Sequence, residues 1–178
     1  LDENVKKFIN DEPFLLVTSH RRENILNKLS LKNIVDLINS SDKKVVFPMG
    51  YATQRQIKEF GLNLNDNVLV IDPIGYLEFI YLLKKSQYCI SDSGTVIEEA
   101  CILNIPSIQM RYSTERPEVY EVGSSVKFDP TLKEQKFQDV HLMADSLNNN
   151  KWSHPFGDGT SSKVIVEDLI DLSKNNKF

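Results

Sequence analysis

The chain has 178 residues, 40% hydrophobic and 26% charged, a composition that supports one soluble globular domain with its own core. A formal net charge of −4, with no Lys/Arg block longer than two residues, argues against a nucleic-acid or membrane partner. No run of about 18 apolar residues and no signal-peptide pattern occurs, so the expected compartment is the cytoplasm. Both cysteines, Cys89 and Cys101, read as small core residues in a reducing compartment, and no Cys/His spacing suits a metal.

The chain opens on Leu1-Asp2-Glu3-Asn4, without an initiator Met, and a polar helical fragment runs straight into a strand. We therefore expect a domain excised from a longer protein. Phe14 to Thr18 is a continuous apolar run, as in a buried parallel strand, and His20-Arg21-Arg22-Glu23-Asn24 follows its C-terminal end. Leu29 to Ile38 reads as a helix with Leu31, Ile34, Val35 and Ile38 on one side. Lys44 to Pro48 is a second strand, and Thr53 to Phe60 a helix closed by Gly61. Val68 to Ile71 is a third strand. Tyr76 to Lys85 is so apolar that a well-buried helix is expected. Tyr88 to Ile90 is the fourth strand and Ser107 to Met110 the fifth. Glu115 to Glu121 is expected to be a short helix with Pro117 in its first turn. Ser125 to Phe128 is the sixth strand. Helices over Lys133 to Leu147 and Thr160 to Leu172 complete the chain, the last with Ile165, Leu169 and Leu172 facing inward. Strand and helix alternate throughout, which implies a doubly wound, mainly parallel Rossmann-like sheet over 1–178, with ligands at the C-terminal ends of the strands.

The stretch Ser91-Asp92-Ser93-Gly94-Thr95-Val96-Ile97-Glu98-Glu99-Ala100 lies on that edge. It reads as strand, tight turn and helix start, with Thr95 and Glu98 forming a capping box and Val96, Ala100 and Leu103 on the packed face. A helix N-terminus offers unpaired N–H groups and a positive dipole end, and Gly94 admits close approach, a combination that suits phosphate. Glu99, just over one turn in, has the reach to accept hydrogen bonds from a ribose. The competing reading is an ordinary α/β turn in which Ser93 and Thr95 are only caps. His20, Arg21 and Arg22 bring an imidazole and two guanidiniums to the same edge, and both groups pair well with diphosphates. Arg111 and Thr114-Glu115-Arg116-Pro117-Glu118, taken alone, read as surface ion pairs. His141 and His154 read as structural or exposed, Trp152 and Phe156 as packing. No Ser-His-Asp or Cys-His pattern is legible.

Thr18-Ser19-His20-Arg21-Arg22-Glu23-Asn24, Asp92-Ser93-Gly94-Thr95-Val96-Ile97-Glu98-Glu99, Met110-Arg111 with Thr114-Glu115-Arg116-Pro117-Glu118, and Gly157-Asp158-Gly159 occur in that order. From about Pro13 to its end the chain thereby resembles the C-terminal half of the non-hydrolysing UDP-N-acetylglucosamine 2-epimerase family. The resemblance implies one half of a glycosyltransferase-B-like two-domain fold, with a UDP-sugar in the cleft and no cofactor. It implies elimination of UDP across C1–C2 of the sugar and re-addition with C2 inverted. It also implies proton-transferring carboxylates in an N-terminal domain outside this chain, so that this chain alone is inactive, and a homodimer at full length. Carried over by motif, His20 is the catalytic contact on the diphosphate, with Arg21 beside it. Ser93 and Gly94 bind phosphate, Glu99 holds the ribose, and Arg116 belongs to the second C-terminal motif.

Two departures bear on substrate and control. The family often has Pro-Val-His after its second strand, where this chain has Pro48-Met49-Gly50; without that histidine, regulation by a second UDP-GlcNAc is in doubt. Thr95 replaces a second glycine, a form we associate with relatives acting on UDP-activated 6-deoxy-L-hexosamines, the precursors of UDP-N-acetyl-L-fucosamine or L-rhamnosamine. A UDP-sugar glycosyltransferase, a hydrolysing epimerase and a non-catalytic UDP-binding module are the alternatives, and fold alone does not separate them.

Overall fold

The computed structural model describes residues 2–175; Leu1 and residues 176–178, the two ends of the expected domain, lie outside the described residues. Six strands form one sheet: β1 (Phe14–Thr18), β2 (Lys44–Pro48), β3 (Val68–Ile71), β4 (Tyr88–Ser91), β5 (Ser107–Met110) and β6 (Ser125–Phe128). Their order is β3-β2-β1-β4-β5-β6, and every pairing is parallel. The chain winds outward from β1 in one direction, then returns and winds outward from β4 in the other. β1 and β4 therefore flank the topological switch point, where a crevice opens at the strand ends.

Alternation along the strands feeds two cores. Leu15 and Val17 face one way with Val45, Phe47, Ile90, Ile108 and Met110. Phe14 and Leu16 face the other way with Val46, Cys89, Ile97, Cys101 and Val119. With apolar side chains buried on both faces, β1 reads as a continuous apolar run, and that is why the sequence gives it away.

The helices are α1 (Glu3–Ile9), α2 (Arg22–Ile25), α3 (Lys28–Asn39), α4 (Tyr51–Glu59), α5 (Tyr76–Lys85), α6 (Gly94–Ile102), α7 (Glu118–Glu121), α8 (Phe137–Leu147) and α9 (Ser161–Lys174). α3 buries Leu31, Ile34, Val35 and Ile38, and the Asn27 side chain caps it by accepting from the Ser30 N–H at 3.1 Å. α4 ends at Gly61 in the left-handed region, φ 64°. α8 buries His141 and Ala144 against the first core.

Several helix expectations need correction. α7 and α8 begin three and four residues later than expected, because irregular backbone precedes each of them and Pro117 is an N-cap. α5 has the expected limits but is not well buried: Leu82 and Leu83 are covered, whereas Tyr76, Leu77 and Tyr81 are exposed, Leu77 at 81%. α9 has no inner face among the described residues. Ile165, Leu169 and Leu172 are all exposed, as is every residue from 157 to 175. Periodicity identifies an apolar stripe, but not whether this chain supplies the surface that would cover it.

Candidate functional site

The register between β1 and β4 pairs Thr18 with Ser91, so Ser19 and Asp92 leave the sheet side by side. Asp92 is fully buried. Its carboxylate accepts from Ser19 Oγ at 2.9 Å, from the backbone N–H of His20 at 3.1 Å and of Arg21 at 3.0 Å, and from Asn24 Nδ2 at 3.2 Å. Four donors take the place of the water that a buried carboxylate loses. The same Asn24 amide donates to the Met110 carbonyl at 3.0 Å, and Thr53 Oγ1 donates to the Ser19 carbonyl at 2.7 Å. The loops after β1, β4 and β5 and the start of α4 are thus tied to one another. Asp92 and Asn24 were not singled out as ties in the sequence reading. The available signal was an acid directly after a wholly apolar strand, where it must be either buried and satisfied or displaced.

Around this tie stand the residues expected at the site. His20 contributes its backbone to Asp92, while its side chain is 57% exposed and its Nδ1 lies 3.6 Å from Asp92 Oδ1. The imidazole is oriented toward a carboxylate yet remains accessible from the crevice. α6 starts two residues earlier than the expected capping box: Ser93, not Thr95, is its N-cap, with Oγ accepting from Val96 N at 3.5 Å. Ser93 N in turn donates to Ser91 Oγ at 3.0 Å. Thr95 is exposed, and the packed face is Ile97, Ala100 and Cys101, with Val96 and Leu103 only partly buried against it. Gly94 sits at the helix start, where a Cβ would lie 2.8 Å from Glu115 Oε1 and would require that carboxylate to shift.

Glu115 and Arg111 are the residues that sequence reasoning left on the surface. Glu115 Oε1 accepts from Arg21 Nη2 at 3.3 Å, and Oε2 from Arg111 Nη1 at 2.7 Å. Arg111 is only 13% exposed and also faces Glu23 at 4.0 Å. The Glu115 carboxyl is held below its ordinary range, first by its own backbone N–H and, against partial burial, by the Arg111 and Arg21 guanidiniums. Two cations therefore stand over the N-terminus of α6. Arg22, by contrast, is exposed on α2.

Of the remaining two expected residues, Glu99 lies on α6 and Arg116 reaches α6 from the loop before α7. Arg116 is ion-paired with Glu98 and donates from Nη1 to the Glu115 carbonyl at 2.9 Å. Glu99 meets Tyr76 at the start of α5, and its carboxylate raises the phenol above its ordinary range. The described structure thus brings His20, Arg21, Ser93 and Gly94 together and sets Glu99 and Arg116 against neighbouring elements. A Cβ on Gly50, the position after β2 where the histidine is lacking, would meet nothing within 4 Å. Cys89 and Cys101 are buried, and burial pushes the Cys89 thiol up to about 12. Trp152 packs on the second core and donates to the Cys101 carbonyl at 2.8 Å. His141 is structural: it is buried against Tyr88 and Leu37. Among the described residues no group of three His, Cys, Asp or Glu side chains could hold a metal ion, and no helix is long and apolar enough to cross a membrane.

A parallel sheet in this order, with a polar loop and a helix N-terminus meeting at its switch point, defines a Rossmann-like domain of the kind that glycosyltransferase-B-like folds use in pairs. The chain belongs to the UDP-N-acetylglucosamine 2-epimerase family, whose profile matches residues 1–170. It is 41% identical over 180 residues to the UDP-N-acetylglucosamine 2-epimerase of Methanocaldococcus jannaschii, an alignment covering 94% of this chain and 48% of the relative. The crystal structure of the Methanocaldococcus jannaschii UDP-GlcNAc 2-epimerase in complex with UDP-GlcNAc and UDP superposes with a TM-score of 0.76 at 38% identity, covering 95% of this chain and 49% of that one. A UDP-2,3-diacetamido-2,3-dideoxy-D-glucuronate 2-epimerase of Pseudomonas aeruginosa is 40% identical over 116 residues, covering 64% of this chain and 32% of the relative. The chain spans about half the length of the curated UDP-N-acetylglucosamine 2-epimerases it matches.

Proposed function

We propose that this chain is the UDP-binding, leaving-group half of a UDP-N-acetylhexosamine 2-epimerase, and that the diphosphate lies between His20 and the N-terminus of α6. The observation that carries the reading is the Asp92 tie. It holds the His20 loop beside the Ser93–Gly94 helix start at the switch point, where an anion meets N–H groups, the helix dipole and an accessible imidazole. In the proposed reaction the C1–O bond breaks as the C2 proton leaves, and negative charge grows on the β-phosphate. Fixed donors at that point lower the barrier because they meet the charge where it develops. UDP then adds back to C1 as a proton is delivered to C2 from the opposite face, which inverts C2. Glu99 takes the ribose hydroxyls and Arg21 supports the diphosphate, with Arg116 nearby through Glu98. The sugar is UDP-GlcNAc or a UDP-activated 6-deoxy-L-hexosamine. Thr95 motivates the second choice, and the Pseudomonas aeruginosa relative, named for a different UDP-sugar, supports variation of substrate among relatives. At full length we read the enzyme as a cytoplasmic homodimer without a cofactor.

Titration of UDP into the chain by calorimetry tests the reading. Wild type is expected to bind UDP, and His20→Ala to lose about 1.5–3 kcal/mol of that binding, the range for a charge-assisted contact. The variant keeps the backbone N–H that Asp92 requires, so its melting temperature should stay close to wild type. Absence of UDP binding by wild type, or a His20→Ala variant that binds as well as wild type, would reject the placement.

A further inference from the structure

We propose that Glu115 is an internal occupant of the phosphate cradle, a carboxylate that a nucleoside diphosphate must displace in order to bind. The inference rests on the UDP-binding reading above and adds a gate to it. Glu115 Oε1 lies 2.8 Å from where a Cβ on Gly94 would be, so a carboxylate from the loop after β5 borders the space this glycine leaves open at the helix start. Its two oxygens are divided between Arg21 and Arg111, at 3.3 and 2.7 Å. Carboxylate and phosphate oxygens make the same planar contacts with guanidinium groups, so an arginine pair satisfied by one is preformed for the other.

The roots of the clamp are rigid while the occupant is free to leave. The Arg21 backbone is held by Asp92 at 3.0 Å, and Arg111 is largely buried. Glu115 is nearly half exposed and belongs to neither β5 nor α7. When its carboxylate moves away, Glu23 still faces Arg111 from 4.0 Å and keeps that guanidinium at the crevice. An occupied cradle lowers apparent affinity by the fraction of molecules in which the site is open. A lone phosphate has only the clamp contacts to set against that cost. A nucleoside diphosphate brings further contacts along α6 and can displace the carboxylate. Glu115 would then select against simple anions and close the site again once the nucleotide has gone.

The test compares UDP and inorganic pyrophosphate binding to wild type, Glu115→Gln, Glu115→Asp and Glu121→Gln. The last variant removes one charge at an exposed position on α7. Glu115→Gln is expected to tighten both ligands about tenfold, with a larger gain for pyrophosphate, and Glu121→Gln to leave both unchanged. Glu115→Asp keeps the charge on a shorter side chain and is expected to tighten both ligands by less. It decides the matter if the Gln variant does not fold. Unchanged or weaker binding in the Glu115 variants would overturn the gate and leave the UDP reading standing if wild type binds UDP. Tightened pyrophosphate binding with no UDP preference in any variant would keep the gate and reject the nucleotide. No binding of either ligand by any variant would reject both.

Discussion

Among the described residues Asp92 has no arginine or lysine partner; its charge is compensated by backbone N–H groups, a hydroxyl and an amide. Such a group is sensitive to loss of acceptor capacity, because its donors were placed for two oxygens. In Asp92→Asn one oxygen becomes an NH2, and a donor then faces donors in a space closed to water. The expected cost is about 2–4 kcal/mol in urea unfolding, with the slope against denaturant unchanged. Ser19→Ala removes one donor and leaves the other three, so it should cost only about 0.5–1.5 kcal/mol. UDP binding should fall further in Asp92→Asn than stability alone explains, because the His20 and Arg21 backbones lose their anchor. Equal stability of Asp92→Asn and wild type would show that the tie is not energetically important.

Element limits were legible from apolar runs and their flanking turn residues, buried or not: β3 and α5, both partly exposed, have the limits read from sequence. β1 and β4, buried on both faces, have the limits read from sequence or extend them by a single residue. α3 shows its amphipathic stripe directly. α5 and α9 misled, because an apolar stripe has the same pattern whether or not this chain covers it. At the site, His20, Arg21, Ser93 and Gly94 were legible as chemistry next to strand ends. Glu115 was not, since its role depends on Arg21, which lies 94 residues away in the chain. His141 was likewise opaque, although α8 is anchored through it. Its Nε2–H donates to the Leu37 carbonyl at 2.8 Å, and in the neutral ring that burial favours its Nδ1 accepts from Tyr88 OH at 2.7 Å. Burial comes first in holding its pKa below 6.5; Lys43 acts in the same sense, while the Leu37 carbonyl, Asp145 and Asp42 oppose it. The sign follows from linkage: the unfolded chain takes up a proton that the folded chain resists. His141 therefore contributes fully above pH 6.5, and that contribution is lost as the pH falls below this value toward the folded pKa. Melting followed across that range should show wild type losing stability with a slope of at most about 1.4 kcal/mol per pH unit from this residue. His141→Gln should be less stable at neutral pH but lack that slope. Glu115 and Asp158, both lowered, act only below 4.5 and 3.8, so the range from 6.5 down to 4.5 is free of them. Parallel pH profiles for wild type and His141→Gln would remove His141 as the cause.

At the scale of the molecule, five carboxylates around the start of α6 are already engaged by other groups. Asp92 is buried and saturated by donors. Glu115 is shared by Arg21 and Arg111, Glu98 is paired with Arg116, Glu99 is set against Tyr76, and Glu23 faces Arg111. A base that removes the C2 proton must lie within hydrogen-bond reach of it and hold a pKa suited to the task. Charge-paired carboxylates are poor bases, because their partners stabilise the ionised form. The exposed stripes on α5 and α9 are a second sign of division of labour. Tyr76, Leu77, Ile165 and Leu169 present apolar surface that no described residue of this chain covers, and a further domain of the proposed enzyme is the natural cover. The chain alone should therefore bind UDP but not perform the reaction. Incubated with UDP-GlcNAc or a UDP-6-deoxy-L-hexosamine in deuterated buffer, it should incorporate no deuterium at C2 and form no C2 epimer, while calorimetry on the same sample still reports UDP binding. Deuterium appearing at C2 above the protein-free rate would mean that one of these paired carboxylates is released when the sugar binds. The division of the active site between two domains would then have to be abandoned.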